Sequence, residues 1–137
     1  MNNYALRFSA VLVATLVLSA CAMISHEHEL DQLDKTQFAY EKAIRWSNFE
    51  VANGFRRADD GDRAVPDYAR LRHIKVTSYD VLSSTTSYEE LKAVQTVEIK
   101  YYHADYLREK TLVDRQDWTY DRAQKRWYIQ GRLPEFN

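Results

Sequence analysis

The most regular pattern of apolar and polar positions runs from Leu33 to Phe55. At about 100° per residue, Leu33, Tyr40, Ala43, Ile44, Ser47, Val51 and Phe55 fall on one side, with Ala39 and Trp46 on its flank. Glu41, Lys42, Arg45, Asn48 and Asn53 fall opposite. The stretch has no proline, and Gly54 stands near its end. This spacing predicts one long amphipathic helix covering an apolar surface. Two features break it: Glu50 intrudes on the apolar flank, and Phe38 and Phe49 lie together on the polar side.

Beyond Leu71 the pattern alternates. His73–Leu82 puts Ile74 and Val76 on one face, and Ser83–Glu90 reads as a polar connection. Leu91–Ala104 sets Ala93, Val97, Ile99 and Tyr101 against Thr96, Glu98 and Lys100. Leu107–Tyr120 is a third strand ending in Trp118 and Tyr120, Asp121–Lys125 a hairpin loop, and Arg126–Leu133 a fourth strand with Trp127 and Ile129 inward. Leu133-Pro134-Glu135-Phe136 closes the chain. Between helix and strands, Arg56–Ala69 is a charged loop with a turn signal at Asp60-Gly61, a breaker at Pro66 and a short helix around Asp67–Arg70. The order predicts an α+β domain: one long N-terminal helix packed on a curved antiparallel sheet of about four strands, with a polar outer face. Trp46, Trp118 and Trp127 are expected to be structural aromatics.

The first twenty residues belong to a different pattern. Met1–Arg7 is polar with one positive side chain, Phe8–Leu18 is apolar apart from Ser9 and Thr15, and Ser19 and Ala20 are small. That is the zone order of a secretory signal. As a helix, the apolar run spans roughly 16 Å against the ~30 Å of a bilayer core, too short for a stable transmembrane segment. Cys21, the only cysteine, follows directly. The quartet Leu18-Ser19-Ala20-Cys21 resembles the lipobox of bacterial lipoproteins. The resemblance implies cleavage after Ala20 and a diacylglyceryl group on the Cys21 thiol, with palmitate-class acylation of the new amino terminus. Two or more acyl chains anchor stably where one is marginal. Ala22, where an Asp commonly retains such proteins at the inner membrane, implies export to the outer membrane, periplasmic face. The expected division is residues 1–20 signal peptide, 21–32 lipidated tether and 33–137 one α+β domain.

Composition and charge narrow the classes. Cleavage removes Arg7 from the 19 Lys+Arg and no acid, leaving 18 against 20 Asp+Glu, a net charge of −2. That balance lacks the basic surplus of a nucleic-acid binder. A lipidated Cys21 leaves no thiol for a disulfide or for nucleophilic catalysis. Gly54, Gly61 and Gly131 are scattered, so no phosphate loop is present, and no zinc spacing appears. His26-Glu27-His28-Glu29 reads as a solvated linker, and Asp59, Asp60 and Asp62 as a solvated turn without EF-hand spacing. No metal and no cofactor is expected.

Gln116–Gly131, "QDWTYDRAQKRWYIQG", resembles the closing hairpin of NTF2-like (cystatin-like) domains, where two adjacent strands each carry a tryptophan. Trp118 and Trp127 match those positions, and the order of helix, linker and strands is similar over about 100 residues. With the lipobox and the terminal Leu-Pro-x-Phe, the chain resembles small proteobacterial outer-membrane lipoproteins. It departs from the family in having a single long helix and fewer than six strands, which implies a pocket that is shallow or absent. NTF2-like members include isomerases, dehydratases, small-ligand binders and interaction modules, so the fold alone does not give the function.

The acid/base candidate is Glu50 with His103, because a half-buried carboxyl beside an imidazole can exchange a proton. Tyr101 joins them as a candidate pocket residue. The plainer reading has Glu50 curling to solvent and His103 in the turn after its strand, and it is the one expected. The resulting expectation is a non-catalytic, lipid-anchored envelope protein that meets the membrane through Cys21 and binds an envelope partner. The alternative is an NTF2-like small-ligand binder or isomerase-type enzyme with a pocket between helix and sheet.

Overall fold

In the computed structural model, which describes residues 27–57 and 65–137, the long helical stripe is interrupted at Ser47 and Asn48. Helix α1 covers residues 27–45. It ends in a Schellman arrangement: the Asn48 N–H donates to the Ala43 carbonyl at 2.8 Å and the Ser47 N–H to the Ile44 carbonyl at 2.8 Å. Ser47 takes the left-handed φ of 54° that this cap requires. Asn48 then caps a new helix, α2 (Phe49–Asn53), its side chain accepting from the Val51 N–H at 3.3 Å. The predicted single helix Leu33–Phe55 is therefore two helices, because Ser and Asn favour caps over helix interiors.

The break resets the helical phase, and three expectations change with it. Phe49, read as polar-side, is buried at 3%, while Val51 and Trp46, read as inward or flanking, are 50% and 78% exposed. Upstream of the break the stripe is as the spacing predicts, with Leu33, Tyr40, Ala43 and Ile44 buried.

The chain then forms β1 (Arg56–Arg57), α3 (Tyr68–Leu71), β2 (Ile74–Ser87), β3 (Lys92–His103), β4 (Glu109–Asp121) and β5 (Arg126–Gln130). The sheet order is β1-β5-β4-β3-β2. Strands β2 to β5 form an antiparallel meander, and β1 adds in parallel to β5 with Arg56 opposite Ile129. The domain is α+β as expected, but its sheet is mixed, has five strands and does not close. Two residues are too few to show an alternating pattern, so in the sequence β1 merges with the charged loop. Ser83–Ser87, read as a connection, continues β2. Its serines and threonines are almost all exposed on an edge strand, where a polar strand is tolerated. Register shifts between Val76 and Ser78 and between Val81 and Ser83 give β2 the irregularities that bend a strand.

Leu33–Asn137 forms one compact unit. Its core lies between α1–α2 and one sheet face, where Ala93, Val97, Ile99 and Tyr101 of β3 meet Trp118 of β4 and Trp127 and Ile129 of β5. The Tyr40 ring packs edge-on to Trp118 and Phe55, at 5.8 and 6.0 Å between centroids. Phe136, fully buried, fills the other end between Phe49 and Tyr101, at 4.9 and 5.0 Å. Arg70 holds that segment by donating to the Phe136 carbonyl at 2.6 Å. No described helix is long and apolar enough to cross a membrane. The signal segment, Cys21 and the tether through His26 lie outside the described residues, as do Asp59, Asp60 and Asp62; residues 27–32, expected as tether, already belong to α1.

Candidate functional site

A charged cluster sits inside the core, where composition gave no warning of one. Pairing of Arg56 with Ile129 turns the Arg56 side chain inward, and only 4% of it is exposed. Its Nη2 donates to Asp114 Oδ2 at 2.8 Å, and its Nε and Nη2 donate to the Tyr40 hydroxyl at 3.0 and 2.5 Å. Gln116 Nε2 donates to Asp114 Oδ2 and to the Tyr79 hydroxyl, both at 2.9 Å. The chain of contacts thus joins α1, β1, β4 and β2. Burial pushes the Tyr40 phenol well above its usual range, against the pull of Arg56. Burial does the same to Tyr79, against its hydrogen bond from Gln116. Each of the five side chains bonds another member of the set. The cluster therefore ties the layers together and has the chemistry of a structural network more than of a reaction centre.

The three residues grouped by sequence as a pocket do not share one: the cleft beside Glu50 includes neither Tyr101 nor His103. Tyr101 is buried beneath Phe136, and its hydroxyl accepts from the Asn137 N–H at 3.1 Å. Glu50 is exposed on α2 and lines an open cleft of about 140 Å³ with Tyr68, Leu71 and Arg72. His103 ends β3, half-buried, with its ring stacked on His73. The phase reset at Ser47 is what moves Glu50 off the apolar flank. Trp118 and Trp127 are core residues, each 1% exposed. Trp46 is not: it stands in the turn after α1 and belongs to the surface.

That surface is the second notable site. Trp46 and Phe38, 78% and 66% exposed, flank a groove of about 440 Å³ between α1 and the edge strand β2. Glu41, Lys42 and Arg45 of α1 and Val76 and Thr77 of β2 complete its lining. Glu41 and Arg45 pair at 3.5 Å along the helix, leaving charges of both signs around the two rings. The groove owes its position to the break: Ser47 Oγ accepts from the Val76 N–H at 3.1 Å, which docks the end of α1 against the start of β2.

Sequence reasoning did not single out Arg56, Asp114, Gln116 or Tyr79. A signal for two of them exists, since Leu112, Asp114, Gln116 and Trp118 alternate on one face of β4. Arg56 has no such signal, because its burial depends on a long-range strand pairing. Comparison with known proteins brings no match: no family model, no curated protein and no solved structure matches the chain.

Proposed function

We propose that this chain is a lipid-anchored cell-envelope protein, fixed to the outer membrane through Cys21, whose domain is a non-catalytic binding module for an envelope protein partner. The observation that carries the binding reading is the exposed pair Phe38 and Trp46 beside the α1–β2 groove. Large aromatics and arginines dominate binding energy at protein interfaces, and Arg45 lines the same groove as these two rings. The anchor rests on the lipobox resemblance at Leu18–Cys21.

The NTF2-like alternative, a small-ligand binder or isomerase-type enzyme, draws on the buried Tyr40–Arg56–Asp114–Gln116–Tyr79 cluster, which occupies the place between helix and sheet where a pocket would form. Against it stands the pairing of those groups with one another and the filling of the Tyr101 end by Phe136.

The anchor is tested by labelling cells with a fatty-acid probe and fractionating their membranes. The wild type is expected to label and to travel with the outer membrane, and Cys21→Ser to do neither. Equal labelling of both chains removes the anchor from the reading. Binding is tested with Phe38→Ala/Trp46→Ala, which is expected to lose cross-linked envelope adducts at an unchanged melting temperature.

A further inference from the structure

We propose that His73, His103 and Asp105 form a binding site for a divalent transition-metal ion of the zinc class. One donor atom from each of the three side chains lies within 4.8 Å of the others. Asp105 Oδ2 is 3.9 Å from His73 Nδ1 and 3.7 Å from His103 Nδ1. These separations are too long for hydrogen bonds, so the three atoms converge without bonding one another. A tetrahedral ion with bonds of 2.0–2.2 Å has ligand atoms about 3.4 Å apart, so rotation of the exposed His73 and Asp105 side chains closes the set around one ion.

The backbone sets the tautomer of His103. The Asp105 backbone N–H donates to His103 Nδ1 at 3.2 Å, which puts the ring proton on Nε2 and engages the Nδ1 lone pair, so an ion bound at Nδ1 displaces this long contact. The two imidazole rings stack nearly parallel, with planes 3° apart and centroids 5.4 Å apart. Each imidazole binds an ion in its own ring plane, so binding turns the exposed His73 ring out of this stack, and three protein ligands leave coordination positions open toward solvent.

The backbone holds the three ligands in place beforehand. The Ala104 N–H donates to the His73 carbonyl at 2.8 Å, and the Tyr106 and Leu107 N–H groups both donate to the His103 carbonyl at 3.0 Å. The Tyr106 ring packs on His103 at 5.0 Å. Imidazole and carboxylate together suit zinc, copper or nickel, not magnesium or calcium, which take oxygen ligands. Sequence spacing hides the site because thirty residues and a strand pairing separate His73 from His103.

The test is calorimetric titration of Zn²⁺ into the full-length chain purified in detergent. The wild type is expected to bind at micromolar concentration, with Mg²⁺ and Ca²⁺ giving no binding. His73→Ala and His103→Ala should each weaken binding at least about tenfold, and Asp105→Asn about tenfold. His26→Ala/His28→Ala, in the tether, should bind within about twofold of the wild type. His73 and Asp105 are exposed, so their variants are expected to keep the melting temperature of the metal-free wild type. Zinc binding absent up to about 1 mM overturns the proposal. So does undiminished binding by His73→Ala/His103→Ala, or loss of binding on changing His26 and His28 alone.

Discussion

Arg56 reaches Asp114 at 2.8 Å across 58 residues of sequence, and both side chains are nearly excluded from water. Removing one member strands a buried charge, which typically costs about 3–5 kcal/mol. Asp114→Ala and Arg56→Ala should each lose that much in urea unfolding. Arg56→Met/Asp114→Leu should recover part of it, since apolar replacement of a whole buried pair is often neutral but here leaves the Tyr40 hydroxyl without its Arg56 partner. A double variant as unstable as the singles would mean that the pair does more than satisfy itself.

The same cluster sets the alkaline limit of the fold. Burial raises the phenols of Tyr40 and Tyr79 in the native state. A raised acid contributes stability that is complete below its unfolded value, about pH 10, and is lost as pH rises beyond it. Unfolding free energy should therefore be flat up to about pH 9 and fall steeply above about pH 10. Ultraviolet titration should show the exposed tyrosines ionising first, with Tyr40 and Tyr79 following only as the fold is lost. Simultaneous titration of all ten tyrosines in an intact fold would contradict this.

The three tryptophans should separate cleanly by melting. Trp118→Ala and Trp127→Ala remove core side chains and should cost about 3–5 kcal/mol each. Trp46→Ala should stay within about 0.5 kcal/mol of wild type. Trp118→Phe should cost much less than Trp118→Ala, because the buried indole Nε1 of Trp118 has no hydrogen-bond partner to lose.

The helix break makes a local prediction. Asn48→Ala removes the cap of α2 and should cost about 1 kcal/mol in thermal unfolding. No change would mean that packing of Phe49 alone places that helix.

How far the sequence reached depends on the range of the interactions. The stripe Leu33–Tyr40–Ala43–Ile44, the alternation Ala93–Val97–Ile99–Tyr101 and the hairpin Trp118–Trp127 were legible because periodicity records which face is buried. The short helix before the sheet was legible from Asp67, which caps α3 by accepting from the Arg70 N–H at 3.0 Å. The break at Ser47-Asn48 carried a signal in its cap-forming residues, but the apolar stripe continued through it and outweighed that signal. Strand β1, the buried Arg56 and the meeting of His73 with His103 were not legible. Each depends on which distant segment the chain pairs with, and periodicity holds no record of that. The groove was missed for a related reason: Trp46 looks like a core residue until the end of the helix is known, and Phe38, on the polar side of the stripe, gains a facing wall only from the place of β2.

The binding face is tested most directly by a photo-cross-linking amino acid placed at Trp46 in cells, with Val113 as the comparison position. Val113 is 62% exposed on the opposite face of the sheet, so a probe at either position reaches solvent. The groove predicts a discrete envelope-protein adduct at position 46 that disappears when Phe38→Ala is added, and none at position 113. Equal adducts at both positions, or an adduct at 46 indifferent to Phe38→Ala, would contradict it.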